Sequence, residues 1–328
     1  MGSTILPSID AIGQNAAAAP PDMQWIPEGT FLMGSNDHYP EERHAHQVHV
    51  SGFWIDRSPI TNAQFGAFVN ATGHVTFAEI APVAADYPGA LPGMLRPGSM
   101  VFAKPGGRVD IRDCHNWWSY SFGADWRHPA GAESSLAGLE HHPVVHVTAA
   151  DAEAYAQWAG KTLPTEAEWE RAARGGLDGA AYAWGDEFLP SNRHLANTWQ
   201  GEFPWQNLAT DGYEGTSPVA AFPPNGYGLL DMIGNVWEWT ADWFVPHGPA
   251  HREKACCVPS NPRGGALDQS YEAGAPIKIP RRVLKGGSHL CAPNYCRRYR
   301  PAARFAHPID TSTCHVGFRC ILRPATQA

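Results

Sequence analysis

Trp158-Ala159-Gly160-Lys161-Thr162-Leu163-Pro164-Thr165-Glu166-Ala167-Glu168-Trp169-Glu170 reads as the end of one helix, a short break and the start of another. Gly160 terminates a segment capped by Thr148, in which Ala152, Tyr155, Ala156 and Ala159 share a face. Thr165 and Glu168, directly after Pro164, form a capping box in which a hydroxyl and a carboxylate satisfy free amide donors. The helix they start buries Trp169, Ala172 and Ala173 and stops at Gly175-Gly176. A third helix starts at Thr61-Asn62-Ala63-Gln64, another capping box, and ends near Asn70-Ala71-Thr72-Gly73. Its Phe65, Phe68 and Val69 fall on one face.

Outside these helices the signals are short. Trp25-Ile26-Pro27 through Phe31-Leu32-Met33-Gly34 reads as strand ending at a glycine. Val48 and Val50, followed by Phe53-Trp54-Ile55, read as further strand. Beyond residue 180 come turns and short strands, ending with Val316 to Leu322. The 328 residues include 33 Gly, 29 Pro and 13 Trp, too many breakers for long regular helices. The expected fold is an irregular, loop-rich α+β domain with little regular secondary structure. Residues 1–22, with Ala16-Ala17-Ala18-Ala19-Pro20-Pro21, read as a disordered lead-in, and 23–328 as one domain without repeats. The long polar loop from Val245 to Pro280 carries Cys256-Cys257 and is placed to border a cleft.

Apolar residues make up 43% and charged residues 17%, as in a packed soluble globule. A formal charge of −8 argues against a nucleic-acid partner. No apolar run approaches the roughly 20 residues of a membrane span. The amino terminus lacks the charged start and apolar block of a secretory signal. Seven cysteines, an odd number, are not spaced as a disulfide framework, and a reducing, cytoplasmic setting is expected.

Chemistry concentrates at Cys291-Ala292-Pro293-Asn294-Tyr295-Cys296. Two thiols five positions apart beside the Lys285-Gly286-Gly287-Ser288 turn can hold one soft ion or form one redox pair. Arg281, Arg282, Arg297, Arg298, Arg300 and Arg304 are expected to crowd around them. Such a group is either a solvated basic face or a rim that holds thiolate. Among the 16 histidines, His44, His46 and His49, or His141, His142 and His146, offer a competing non-haem iron set.

The opening stretch, with Asn225-Gly226-Tyr227-Gly228-Leu229, Gly234-Asn235-Val236-Trp237-Glu238-Trp239 and Gly317-Phe318-Arg319-Cys320, resembles the formylglycine-generating enzyme (sulfatase-modifying factor) superfamily over about residues 23 to 323. Three stretches narrow the resemblance: Asn197 to Pro204, Trp126-Arg127-His128-Pro129, and Gly286 to Cys291 with Cys296 to Arg300. The resemblance implies a C-type-lectin-like fold and a monomer. It also implies a copper-dependent oxidase that converts the cysteine of an unfolded Cys-x-Pro-x-Arg segment in a sulfatase to Cα-formylglycine, using dioxygen and a reductant.

By the same resemblance, Cys291 and Cys296 ligate Cu(I), which prefers thiolates and leaves a side open to a substrate thiol. Ser288 and Tyr295 position oxygen or the substrate sulfur, Trp237 lines the oxygen pocket, and Trp126, Arg127 and Arg298 contact substrate. One calcium is implied at Asn197, Thr198, Asp211 and Tyr213, and a second at Asp231, Gly234, Val236 and Glu238. Disulfide positions of secreted relatives match Ala156, Ala173 and Pro301, which leaves Cys320 without a partner. A non-catalytic, calcium-stabilised module and a thiol–disulfide oxidoreductase are the alternatives.

Overall fold

A computed structural model describes residues 19–85, 87–247, 258–275 and 277–324. The Cys256-Cys257 pair and most of the expected lead-in therefore lie outside the described residues. Three helices start and stop where the capping chemistry requires. Helix α1 (Asn62–Thr72) begins with Thr61, whose side chain accepts from the Gln64 amide while the Gln64 side chain accepts from the Thr61 amide. It closes on Gly73 at φ 70°. Helix α2 (Ala149–Trp158) has the Thr148–Asp151 box, and α3 (Glu166–Arg174) has the Thr165–Glu168 box.

Helix α3 departs from the simple amphipathic expectation. All nine of its residues are buried, the charged ones included. Its polar face meets cations supplied by distant strands: Arg304 donates to both oxygens of Glu166 at 2.7 and 2.8 Å, and Lys285 to Glu170 at 2.9 Å. Buried charge is tolerated where it is paired and hydrogen-bonded. The opening stretch thus forms the electrostatic centre of the molecule, not an edge of its core.

The strands are short, and they join segments far apart in sequence. In one sheet β4 (Phe53–Asp56) lies between β1 (Met23–Ile26) and the two-residue β11 (Ile321–Leu322), with Ile55 opposite both Gln24 and Ile321. Strands β2 (Gly29–Met33) and β3 (His46–Val50) pair antiparallel, as do β5 (Gly98–Phe102) and β6 (Trp118–Phe122). The fourth sheet runs β10 (Val316–Gly317), β7 (Trp237–Trp243), β8 (Arg281–Lys285), β9 (Arg304–Pro308). Only the β10–β7 pair in it is parallel. A large core gathers Phe65, Trp169, Trp239 and Phe318, and a smaller aromatic cluster joins Trp117, Trp199, Phe203, Leu290 and Ala292. The thiol loop lies between them. The irregular α+β architecture expected from the sequence is the one observed.

Candidate active site

Strand β8 delivers the chain into Gly286-Gly287, both left-handed, at φ 91° and 71°. A Cβ on Gly287 would lie 2.8 Å from backbone atoms of Arg298 and Tyr299, so glycine alone allows the approach. The chain then folds tightly. Cys291 N–H donates to the Ser288 carbonyl at 2.9 Å, and the Tyr295 and Cys296 amides donate to the Ala292 carbonyl at 3.1 and 2.9 Å. These turns bring the Cys291 and Cys296 sulfurs to 3.2 Å while both remain free thiols. The spacer is anchored from below. Ala292 is buried in the aromatic cluster, and Asn294 exchanges hydrogen bonds with the Phe203 backbone at 3.2 and 3.3 Å.

The two thiols differ in character. Burial pushes Cys291 well above the ordinary thiol range, and its neighbour's charge adds to that. Cys296 is held below that range, chiefly by the hydrogen bond from Cys291 and then by the Arg298 charge. The hydrogen bond between the thiols and the Arg298 charge thus favour negative charge on Cys296 over Cys291. Arg298 Nη1 lies 3.7 Å from that sulfur, and its Nε donates to Glu41 at 2.9 Å. The Tyr39 ring stacks 3.9 Å from its guanidinium carbon.

The expected arginine rim does not exist as such. Arg300 is buried on Glu42 at 2.8 Å, Arg304 on Glu166, and Arg282 donates to Glu153 at 2.6 Å. Arg281 donates to the Ser270 and Tyr271 carbonyls at 3.0 and 3.3 Å. Of the six, Arg298 is the one in contact with the pair. Glu42, Glu166 and Glu153, from three separate segments, draw Arg300, Arg304 and Arg282 away.

Both cysteines face a cavity of about 780 Å³. Ser288, Tyr295, Trp237 and Arg298 line it. Ser288 is buried, and its Oγ accepts from the Leu290 amide at 3.2 Å, which leaves its O–H to donate. The Tyr295 ring stacks on Phe203 with centroids 4.5 Å apart, and partial burial keeps its phenol protonated. Trp126 and Arg127 are not lining residues. Trp126 packs on Phe65 at 5.2 Å, and Arg127 pairs with Glu79 at 2.6 Å.

Sequence reading missed Glu41, Trp118, Phe203, Phe305, His307 and His315, all of which line the cavity. Apart from Phe203, which lies in the Asn197 to Pro204 stretch, they come from segments with no motif of their own. The alternating aromatic and polar residues of β6 and β9 were the available signal. His307 Nε2–H donates to the Thr311 carbonyl (2.9 Å), and His315 Nδ1 shares a hydrogen bond with the Thr313 hydroxyl (2.7 Å); burial lowers both pKa values and favours the neutral rings. The iron alternative loses its ligands. His142 engages Thr216, and His146 engages Ser99 and the Pro129 carbonyl. Among the described residues no group of three or more His, Cys, Asp or Glu is assembled for a metal.

The thiol pair fits Cu(I): two soft sulfurs converge at the edge of a cavity. The first calcium set also fits. Asn197 Oδ1 is buried without a hydrogen-bond partner, and Gln200 Nε2 sits against the Thr198 carbonyl and, at 2.6 Å, Asp211 Oδ2, where a cation's ligands would converge. Tyr213 is tied to the same carboxylate through its amide at 3.0 Å. The second set does not fit as a whole. Asp231 Oδ1 is open, but both oxygens of Glu238 are taken by Arg319 at 2.7 Å, and Trp169 adds a bond at 2.8 Å. Gly234 and Val236 contribute only backbone beside a carboxylate that already has its cation. Cys320 is a buried free thiol, and Ala156 and Ala173 are buried in the same hydrophobic core.

Comparison with known proteins bears on this site as a whole. The family model for the "Sulfatase-modifying factor enzyme 1-like domain" matches residues 9–324. A formylglycine-generating enzyme of Mycobacterium tuberculosis is 52% identical over 92% of this chain and 97% of its own length. Another, from Streptomyces coelicolor, is 46% identical over 90% of this chain and 87% of its own. The structure of PvdO from Pseudomonas aeruginosa superposes with a TM-score of 0.60 at 23% identity, covering 91% of this chain and 93% of that one, and shares the fold. With the family model spanning nearly its whole length, this chain belongs to the sulfatase-modifying factor, or formylglycine-generating enzyme, family.

Proposed function

We propose that this protein oxidises a cysteine in a Cys-x-Pro-x-Arg segment of a sulfatase to Cα-formylglycine, with Cys291 and Cys296 as its reactive centre. The observation that carries the reading is the pair itself: two unbonded thiols 3.2 Å apart, facing a cavity large enough for a peptide segment. Replacing a C–S bond by C=O removes two electrons from the substrate carbon. Dioxygen takes up four, so a reductant supplies the other two; with two protons, the products balance as aldehyde, hydrogen sulfide and water. Cu(I), when held by the two sulfurs, would supply the one-electron chemistry that dioxygen needs.

The chain's own groups prepare that chemistry. Arg298 stabilises the Cys296 thiolate, and the buried Cys291 keeps its proton until its partner's charge is shared or replaced. Ser288 and Tyr295 present O–H donors toward the cavity. Trp237 and Phe305, with ring centroids 5.8 Å apart, and Phe203 give it apolar walls. A calcium at Asn197, Thr198, Asp211 and Tyr213 would rigidify the segment that anchors Asn294. Among the described residues no helix is long and apolar enough to cross a membrane. Free thiols at all five described cysteines support a reducing, cytoplasmic location.

The test incubates Cu(I)-loaded protein with a Cys-x-Pro-x-Arg peptide, oxygen and a thiol reductant, with mass spectrometry for the aldehyde. Aldehyde is expected from the wild type, and Cys291→Ser and Cys296→Ser should each reduce it at least a hundredfold. A 3.2 Å sulfur separation also favours disulfide formation. Under that second reading the protein exchanges disulfides equally well without copper and makes no aldehyde.

A further inference from the structure

Residues 197–203 carry the first implied calcium set at one end and hold the thiol loop at the other. At the first end, Asn197 Oδ1 and Thr198 Oγ1 are buried without a hydrogen-bond partner. The Thr198 amide donates to Asp211 Oδ2 at 3.1 Å, and Gln200 Nε2 meets the same oxygen at 2.6 Å. At the second end, the Trp199 amide donates to the Cys291 carbonyl at 3.0 Å, and Ala292 packs in one cluster with Trp199 and Phe203. Asn294 closes the contact, accepting from the Phe203 amide at 3.2 Å and donating to the Phe203 carbonyl at 3.3 Å. A parallel tether runs through Asn235, whose amide donates to the Asn197 carbonyl at 2.8 Å while its own carbonyl accepts from the His289 amide at 2.9 Å.

Among the described residues, Asn294 supplies the side-chain hydrogen bonds between this segment and the spacer. It sits at the apex of the loop whose two ends carry the sulfurs 3.2 Å apart. It is also exposed, so replacing it leaves the core intact. A cation that draws Asn197, Thr198 and Asp211 together orders the segment. A loop fixed to an already ordered segment then loses less freedom when its own ligand binds, which is positive cooperativity without a change of shape. We infer that Asn294 is a positioning residue that couples the two sites: through Phe203 it passes cation binding at Asn197 and Asp211 to the thiol loop. Calcium therefore tightens Cu(I) binding by the two sulfurs, and Cu(I) tightens calcium binding by the same factor. This rests on the proposed function, in that Cys291 and Cys296 are taken to hold Cu(I).

The test measures Cu(I) affinity without oxygen, by competition with a colorimetric Cu(I) chelator. Wild type and Asn294→Ala are each compared calcium-saturated and calcium-depleted. Aldehyde formation from a Cys-x-Pro-x-Arg peptide is followed in parallel on calcium-saturated protein. Wild type should bind Cu(I) about five- to tenfold more tightly with calcium, at the low end of typical couplings. Asn294→Ala should lower that ratio to about twofold or less, the remainder running through the Trp199 amide and Asn235. A residue that merely stabilises the loop weakens Cu(I) binding equally in both states and leaves the ratio unchanged. That result overturns the inference, as does a wild-type ratio of one, and aldehyde formed in either case leaves the function standing. No Cu(I) binding by wild type in either state overturns the copper reading and the inference with it.

Discussion

At the scale of single residues the reactivity of this site rests on asymmetry between two cysteines. Cys291 is 2% exposed, whereas Cys296 is half-buried and faces Arg298. A nearby cation lowers a thiol pKa by stabilising the charged form, typically by about one to three units at this range. Arg298→Gln should therefore move the midpoint of Cys296 alkylation upward by about a unit. Iodoacetamide rates against pH, on metal-free protein, measure it. Arg298→Lys keeps the charge but loses the fork that binds Glu41 and should fall between the two. A wild-type midpoint in the ordinary thiol range near 8.5 would contradict the thiolate assignment.

Elements are held by charge as much as by apolar packing. Helix α3 carries Glu166 and Glu170 into the interior, where β8 and β9 meet them with Lys285 and Arg304. Removing one member of a buried pair strands the other, at about 3–5 kcal/mol. Glu166→Ala should cost that much in urea unfolding, whereas Thr165→Ala, which removes only the cap, should cost about 1 kcal/mol. Because β8 leads directly into Gly286, the Glu166 variant should also loosen the thiol loop. That appears as faster alkylation of the otherwise buried Cys291. The caps of all three helices were legible in the sequence, since each is written within four residues. The ion pairs of α3 were not, because Glu166 meets Arg304 across 138 residues.

For the whole molecule, acid is the main vulnerability. Burial lowers the pKa of His146, His289 and His307 to about 4 each, from 6.5. The unfolded chain binds more protons than the native one between those values. Stability from these histidines is therefore complete above pH 6.5 and is lost as pH falls toward 4, by about 1.4 kcal/mol per pH unit for each. Asp231 acts with the opposite sign. Burial raises it from 3.8 to about 6, so it is stabilising when protonated and offsets roughly one histidine across that window. His315, lowered by burial as well, adds to the loss, so the net expectation is at least about 3 kcal/mol per pH unit near pH 5, measured by urea titrations in the presence of a chelator. A flat profile from pH 7 to 5 would show that these histidines charge without cost.

By itself the sequence determined the three helices with their caps, the glycine turn before Cys291, the thiol spacing and the family. Each is a matter of residues adjacent or nearly adjacent along the chain, where steric preference and short hydrogen bonds decide. Tertiary structure decided which arginine acts. Six looked equivalent in sequence, and packing assigned Arg300 to Glu42, Arg304 to Glu166 and Arg298 to Cys296 and Glu41. It also kept Trp126 and Arg127 off the cavity wall and gave Glu238 to Arg319. The reason is common to all of these. A buried charge must find its counter-charge wherever the fold brings one, and such partners lie as far as 258 residues away in the chain.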